Sequence, residues 1–326
     1  MTENYHFKSI TYAGLKAGVS IIITGAVHGN ETCGTQAITR VLAEIDSGAL
    51  PILRGKVTFV PITNPKAYAK KARVGDRNLN RNLTPTALTN TVPKQFEDHI
   101  ANWLCPLFAQ HDGVLDLHST RAKNTAFAML GPQNNTGTLQ PFARAAQERG
   151  LAKCLGINRF VDGWLSTYAG GVARRIAYAA AHNKPLDGLD TDPRYGVGTT
   201  EYMRSTGGFA ITLECGQHDD PHSPEVGYRA IRNALAHLQI TGDAPPREVT
   251  QYEVLHMFDV IDKHHAEDTF SRLWASFDAL QPGDLIGTRA DGTKLLAEFA
   301  GCILFPDTGA LPGNEWFYLT RTGTVV

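Results

Sequence analysis

Apolar, β-branched runs alternate with longer stretches of helical character through most of this chain, and that alternation is the mark of an α/β domain. In order they are Val19 to Val27, then Glu31 to Ile45; Lys56 to Ile62; Phe96 to Gln110; Gly113 to Leu117; Phe127 to Leu130; and Gln140 to Arg149. A further apolar strand at Gly208 to Leu213 precedes a helix from Glu225 to Leu238. Between them, the Gly- and Pro-containing stretch from Asn183 to Thr206 reads as a long loop over the main sheet, a kind of segment that often covers a site.

Thr241-Gly-Asp-Ala-Pro-Pro-Arg then reads as a linker. Past it turns come quickly, at Gln281-Pro-Gly-Asp, Arg289-Ala-Asp-Gly, Pro306-Asp-Thr-Gly and Leu311-Pro-Gly-Asn, separating short segments such as Lys294 to Phe299 and Cys302 to Phe305. The expected organisation is therefore an α/β domain over residues 1–245 and a β-rich domain over 246–326. Short strands need a partner face, so the second domain is expected to dock on the first or on another copy of the chain, which makes a homo-oligomer an expectation.

The chain's 31 Lys+Arg are matched by 32 Asp+Glu, without a basic run, so the electrostatic footprint of nucleic-acid or anionic-membrane binding is missing. Nowhere do eighteen apolar residues run together, and the first residues lack a basic segment followed by an apolar one; neither a membrane span nor secretion is expected. The five cysteines (Cys33, Cys105, Cys154, Cys215, Cys302) form no C-x-x-C pair and suit buried thiols in a reducing compartment. A cytoplasmic location is expected.

Four segments carry side chains capable of chemistry. In Ile21-Ile-Ile-Thr-Gly-Ala-Val-His28-Gly-Asn-Glu31 a buried strand stops at a glycine turn and delivers a His and a Glu, where strand ends of open α/β sheets line the ligand crevice. The plainer alternative makes His28 a turn residue and Glu31 a first-turn carboxylate favoured by the helix dipole. Gly113-Val-Leu-Asp116-Leu-His118 repeats the pattern of a strand ending in histidine, with Asp116 on the same side and placed to orient a neighbour. Two histidines and a glutamate make the His₂Glu set of catalytic zinc sites, which leaves a position for water. Gly208-Phe-Ala-Ile-Thr-Leu-Glu214 ends a buried strand in a carboxylate, which must be paired, bound to metal, or held with the raised pKa of a general base. Finally, Lys71-Ala-Arg73-Val-Gly-Asp-Arg77-Asn-Leu-Asn80-Arg81-Asn82 gathers three arginines and three asparagines in one loop, suited to anion recognition or simply solvated.

Taken in order, His28-Gly-Asn-Glu31, Arg73, Asn80-Arg81, Asp116-Leu-His118 and Glu214 resemble the succinylglutamate desuccinylase/aspartoacylase family, relatives of zinc carboxypeptidases, over roughly residues 20 to 240. The resemblance implies a zinc-carboxypeptidase-like domain, with a central mixed sheet flanked by helices, followed by a small mostly-β C-terminal domain. It also implies one zinc ion per chain on His28, Glu31 and His118, with Glu214 as general base and Arg73 polarising the carbonyl. Asn80 and Arg81 would clamp a substrate carboxylate, and Arg204 falls where aspartoacylases place a further substrate-binding arginine. The expected activity is hydrolysis of the amide bond of a small N-acyl amino acid, with peptide trimming as a metallocarboxypeptidase, or a non-catalytic metal-binding role, as alternatives. Two departures stand out: Asn78-Leu-Asn80-Arg81 replaces a common Asp-Leu-Asn-Arg, and Ser119 follows His118 where Asn is usual. Neither change is expected to touch a metal ligand. His218 and His222 read as solvated loop residues or a second metal pair, and His264-His265 as part of a polar surface helix.

Overall fold

The computed structural model describes residues 5–183, 185–186 and 190–323. Its elements run β1 (Ile10–Ala13), β2 (Lys16–Gly25), α1 (Cys33–Asp46), β3 (Arg54–Val60), α2 (Pro65–Ala69), α3 (Thr86–Thr89), α4 (Phe96–Phe108), β4 (Gly113–Thr120), β5 (Phe127–Met129), α5 (Ala145–Cys154), β6 (Arg159–Asp162), α6 (Trp164–Ala181), α7 (Thr199–Ser205), β7 (Phe209–Gln217), α8 (Ser223–His237), β8 (Glu253–Asp262), β9 (Thr269–Phe270), β10 (Ala279–Leu280), β11 (Leu285–Thr288), β12 (Lys294–Leu296), β13 (Gly301–Leu304) and β14 (Glu315–Thr322). Contacts divide the chain into two units, one within 1–119, 125–160 and 197–252, the other within 120–124, 161–196 and 253–326.

In the first unit the strand order is β1-β3-β2-β4-β7-β5. β2 runs parallel to β3 and β4, whereas β1 is antiparallel to β3 and β5 to β7, so the sheet is mixed. Parallel neighbours and helices on both faces explain the unbroken Ile21-Ile-Ile run, all three side chains fully buried. Alternation sends Ile22 and Val114 to one face, where Ile100, Leu104 and Phe108 of α4 join them in one cluster. On the other face α1 and α8 pack together, and Leu117 meets Gly34 of α1 and Gly227 of α8. Full burial of each such aliphatic side chain is worth about 1.5–3 kcal/mol, which holds the ends of β2 and β4 in register.

The second unit is mostly β. β8, β14, β13 and β10 pair antiparallel in that order, and β9, β11 and β12 form a small sheet with the order β12-β11-β9. Trp274, Leu280, Ile286, Ile303, Trp316 and Phe317 form its core. This is the β-rich tail expected from the turn density, with one addition. The 18-residue helix α6, which the sequence reading did not identify, packs on β8. Gly171 lies so close to Val260 that an added Cβ would meet Cγ1 at 2.4 Å, which accounts for a glycine in mid-helix. Arg175 adds a two-armed pair with Asp262, at 2.8 and 3.0 Å. Contacts of this kind take 161–196 into the second unit, and the first unit extends to Tyr252 rather than stopping near 245.

Of the loop read over 183–206, residues 184 and 187–189 lie outside the described residues, and Thr199–Ser205 is helical. His264 and His265 are not on a helix. They lie in the turn between β8 and β9, because the Asp268 carboxylate takes both their backbone N–H groups and the Arg289 guanidinium. Among the described residues no helix is long and apolar enough to cross a membrane.

Candidate metal centre

The β2–β4 ladder ends with Gly25 opposite Leu117, so the next residues of both strands emerge side by side at one end of the sheet. After β2 the chain turns at Ala26, in the left-handed region at φ 48°, and Asn64 N donates to Ala26 O at 3.0 Å. Gly29 lets the turn lie against α2, where an added Cβ would meet the Ala67 carbonyl carbon at 2.0 Å. The turn points His28 and Glu31 inward, and β4 delivers His118; all three are buried.

Glu31 lies between the two imidazoles, its Oε1 2.8 Å from His28 Nδ1 and its Oε2 2.8 Å from His118 Nδ1. The rings sit edge to face with centroids 5.1 Å apart. Each ring's other nitrogen also faces an oxygen: His28 Nε2 is 3.0 Å from Asn78 Oδ1, and His118 Nε2 is 2.8 Å from Asp116 Oδ2. Asp116 is itself fixed by the hydroxyls of Thr24 and Thr199, which donate at 2.6 and 2.5 Å.

The cluster thus presents four oxygen contacts to two rings, and a neutral imidazole carries one N–H. A cation at the two Nδ1 atoms and Glu31 would resolve the mismatch and leave each Nε2–H to its own oxygen partner, the outer-layer pattern of metal-binding histidines. Donor chemistry agrees, since two imidazoles and a carboxylate suit zinc. Among the described residues this is the one group of three or more such side chains whose donor atoms all lie within 4.8 Å of one another. The residues present therefore fit a divalent cation.

Titration follows the same geometry. Burial, with Arg73 nearby, pushes His28 down to about 4, leaving it neutral. For His118 burial works against charge, but the Asp116 and Glu31 carboxylates outweigh it and hold the ring well above the usual histidine range. Burial also opposes ionisation of Glu31, yet the two imidazoles keep its carboxyl well below the ordinary value. Glu214, on β7 opposite Phe127, is buried with Oε2 lacking any hydrogen-bond partner, and burial, helped by the Glu31 charge, pushes it up to about 8.

The polar loop of residues 71–82 is held by Glu97, a fully buried carboxylate that accepts the backbone N–H groups of Gly75, Asp76 and Arg77. Arg73, half exposed, reaches the cluster and donates to Glu31 Oε1 at 3.0 Å. Arg77 pairs instead with Asp98. Asn80 Oδ1 accepts from Thr199 N at 2.9 Å, and Arg81 donates to the Asn80 carbonyl. Arg204 stands apart from the cluster. It is buried in a two-armed pair with Glu148, at 2.9 and 3.3 Å, and also donates to the Ala210 carbonyl, so its donors are used within the fold.

Sequence reasoning missed several contributors. Asn78 contacts a proposed ligand, its Oδ1 lying 3.0 Å from His28 Nε2. His218 is no solvated loop residue, since Ser119 and Asn30 both contact its ring. Thr24 and Thr199 gave no signal, because a threonine that orients a carboxylate looks like any other strand or helix-start threonine.

Residues 17–156 match the succinylglutamate desuccinylase/aspartoacylase catalytic domain. A protein named "Probable aspartoacylase" from Nostoc sp. is 30% identical over 122 residues, 35% of this chain and 40% of that one. The N-acyl-aromatic-L-amino acid amidohydrolase (carboxylate-forming) of Mus musculus is 34% identical over 123 residues, 35% of this chain and 37% of that one. The matched stretch thus spans well under half the length of either relative. Among solved structures, the product-bound ectoine utilization protein EutE of Ruegeria pomeroyi superposes with a TM-score of 0.69 at 18% identity, covering 96% of this chain and 88% of that one. The succinylglutamate desuccinylase of Vibrio cholerae gives 0.69 at 18%, covering 96% and 85%. These structural likenesses concern the fold. His28, Glu31, Arg73, Asn80, Arg81 and His118 all fall inside the stretch that is similar to the succinylglutamate desuccinylase/aspartoacylase catalytic domain, whereas Glu214 and Arg204 lie beyond it.

Proposed function

We propose that this protein is a zinc-dependent hydrolase that cleaves the amide bond of an N-acyl amino acid, with Glu214 as its general base. The reading is carried by two imidazoles from neighbouring strand ends converging on one buried carboxylate, with an unpaired carboxyl in electrostatic reach. Zinc held by His28, Glu31 and His118 supplies, when bound, a Lewis acid that polarises a carbonyl and brings the pKa of water to about 7.

The remaining work falls to the chain's own groups. Glu214 Oε2 accepts the proton of the attacking water and returns it to the leaving nitrogen, a role worth roughly 10²–10⁴-fold. A carboxyl poised near neutrality suits both directions of transfer, and its burial keeps competing water away. Arg73 steadies the negative charge that grows on the carbonyl oxygen. Asn80 and Arg81 hold the substrate carboxylate. Arg204 has no part in this reading, because a substrate would have to displace Glu148 from a buried ion pair.

The test is a metal analysis joined to a turnover assay over a panel of N-acyl amino acids. Turnover that a chelator abolishes and zinc restores supports the reading. Wild-type protein that hydrolyses none of the panel, or a Glu214→Gln variant with near-normal turnover, sinks it.

A further inference from the structure

The loop that follows β7 reaches the two ligand-bearing segments through one side chain, His218. Its Nδ1 lies 2.9 Å from Ser119 Oγ and its Nε2 lies 3.3 Å from Asn30 Nδ2. Ser119 follows His118 and Asn30 precedes Glu31, so one ring touches the chain neighbours of two of the three proposed ligands. An amide nitrogen only donates, so Nε2 is the acceptor and the neutral ring keeps its proton on Nδ1, donating it to Ser119 Oγ. Ser119 is buried, and its backbone N–H donates at 3.2 Å to Glu31 Oε2, the oxygen that also faces His118 Nδ1. The connection from Asn30 through His218 and Ser119 to Glu31 is continuous.

What this connection does follows from what a cation would take away. The sheet ladder between β2 and β4 stops at Gly25 and Leu117, short of His28 and Glu31. Beyond it, Glu31 is joined to the end of β4 by its hydrogen bonds to His118 and Ser119, and the His118 bond uses an atom that a bound cation would claim. The bonds of His218 use none of those atoms, so they persist in either state.

We infer that His218 is a positioning residue: by tying the 28–31 turn to the end of β4 it sets the separation of Glu31 and His118, and so the affinity of the site for zinc. The inference rests on the metal-site part of the reading above and is independent of which amide is cleaved.

The experiment measures zinc Kd by competition with a chromophoric chelator, alongside thermal unfolding of the metal-free protein, for wild type, His218→Ala, His218→Gln, Ser119→Ala and the His218→Ala/Ser119→Ala double variant. Partners in the outer layer of metal sites typically contribute 10–100-fold in affinity, and this one, a bond further out, is expected at the lower end, about tenfold. His218→Ala and Ser119→Ala should each weaken zinc by about that factor with the metal-free Tm unchanged. The double variant should be no weaker than the worse single, since both cut one connection. His218→Gln, whose amide can donate to Ser119 and accept from Asn30, should recover most of the loss. Wild-type zinc affinity in His218→Ala, additive losses in the double variant, or a weakening that merely tracks a lower metal-free Tm overturns the inference and leaves the hydrolase reading standing. Wild-type protein that binds no zinc overturns both. Intact zinc binding with the expected His218 effect but no turnover on any N-acyl amino acid removes the hydrolase reading alone.

Discussion

The strand-end cluster and the 71–82 loop are built from the same kinds of polar side chain and use them in opposite ways. In the cluster, His28, Glu31 and His118 turn donor atoms toward one another and leave only their far sides to the fold. In the loop, Arg77 is taken by Asp98, Asn78 by His28 and the Asn80 carbonyl group of the side chain by Thr199, while the backbone itself is tied to Glu97. A strand end gives a side chain a direction before any partner is found; a loop must be held by the very groups that sequence motifs invite one to assign to a ligand. The two regions should therefore respond differently to substitution.

The largest contrast is expected at His118. His118→Ala removes a donor and leaves Asp116 without its imidazole partner, so the purified variant should hold no stoichiometric zinc by elemental analysis and show no turnover. Glu214→Gln comes next: zinc content unchanged, turnover down by roughly 10²–10⁴-fold. If instead Glu214→Gln lost the metal, Glu214 would belong to the ligand set and the division between ligands and base would fail.

The legibility of the sequence followed the same division. The α/β alternation and the strand ends could be read because burial on both faces forces unbroken apolar runs, and the polar residue that ends each run stands out, whereas the mixed character of the sheet came only with the family resemblance. Asp116 could be placed two residues before His118 because the strand period is two. By contrast, Arg204 was a substrate arginine only by the family resemblance, and the tertiary fold reveals Glu148 across from it, 56 residues away. The partnership of His218 with Asn30 and Ser119 spans 188 and 99 residues, so no local pattern could announce it. Helix α6 escaped for a related reason: its Gly170-Gly171 pair weakens the helical signal, and the close approach to Val260 that makes Gly171 necessary is invisible in one dimension.

Two arginines sharpen the comparison further. Arg204→Met should act on the fold, because it leaves the buried Glu148 charge with only the backbone N–H groups of Gly131 and Ala210; breaking such a pair costs about 3–5 kcal/mol, seen as a lower Tm, with KM of the folded fraction unchanged. Arg81→Met should act on the substrate, raising KM about tenfold to a hundredfold, the equivalent of about 1.5–3 kcal/mol for a charged hydrogen-bond partner, with Tm held. A KM effect in the first or a stability effect in the second would exchange their roles.

The smallest expected effect joins the two regions, at Asn78, a loop residue whose amide oxygen accepts from His28 in the cluster. Zinc requires neutral imidazoles, so protons compete with it. In the wild type His28, at about 4, is already neutral over the working range, while His118 is held well above its usual value and must release a proton when the metal binds. Zinc affinity should therefore climb with pH through and above the ordinary histidine range, with about one proton released per ion. Asn78→Asp would set a carboxylate beside His28 and raise its pKa, adding a second competing proton below the new value. The slope of log affinity against pH should then steepen from about one toward two as pH falls between roughly 6.5 and 4, with affinity near pH 8 changed little or slightly improved. Equilibrium competition titrations across that range read the slope directly. A slope that stays near one in Asn78→Asp would mean that the loop does not set the protonation of the cluster, and the two regions would be neighbours without being coupled.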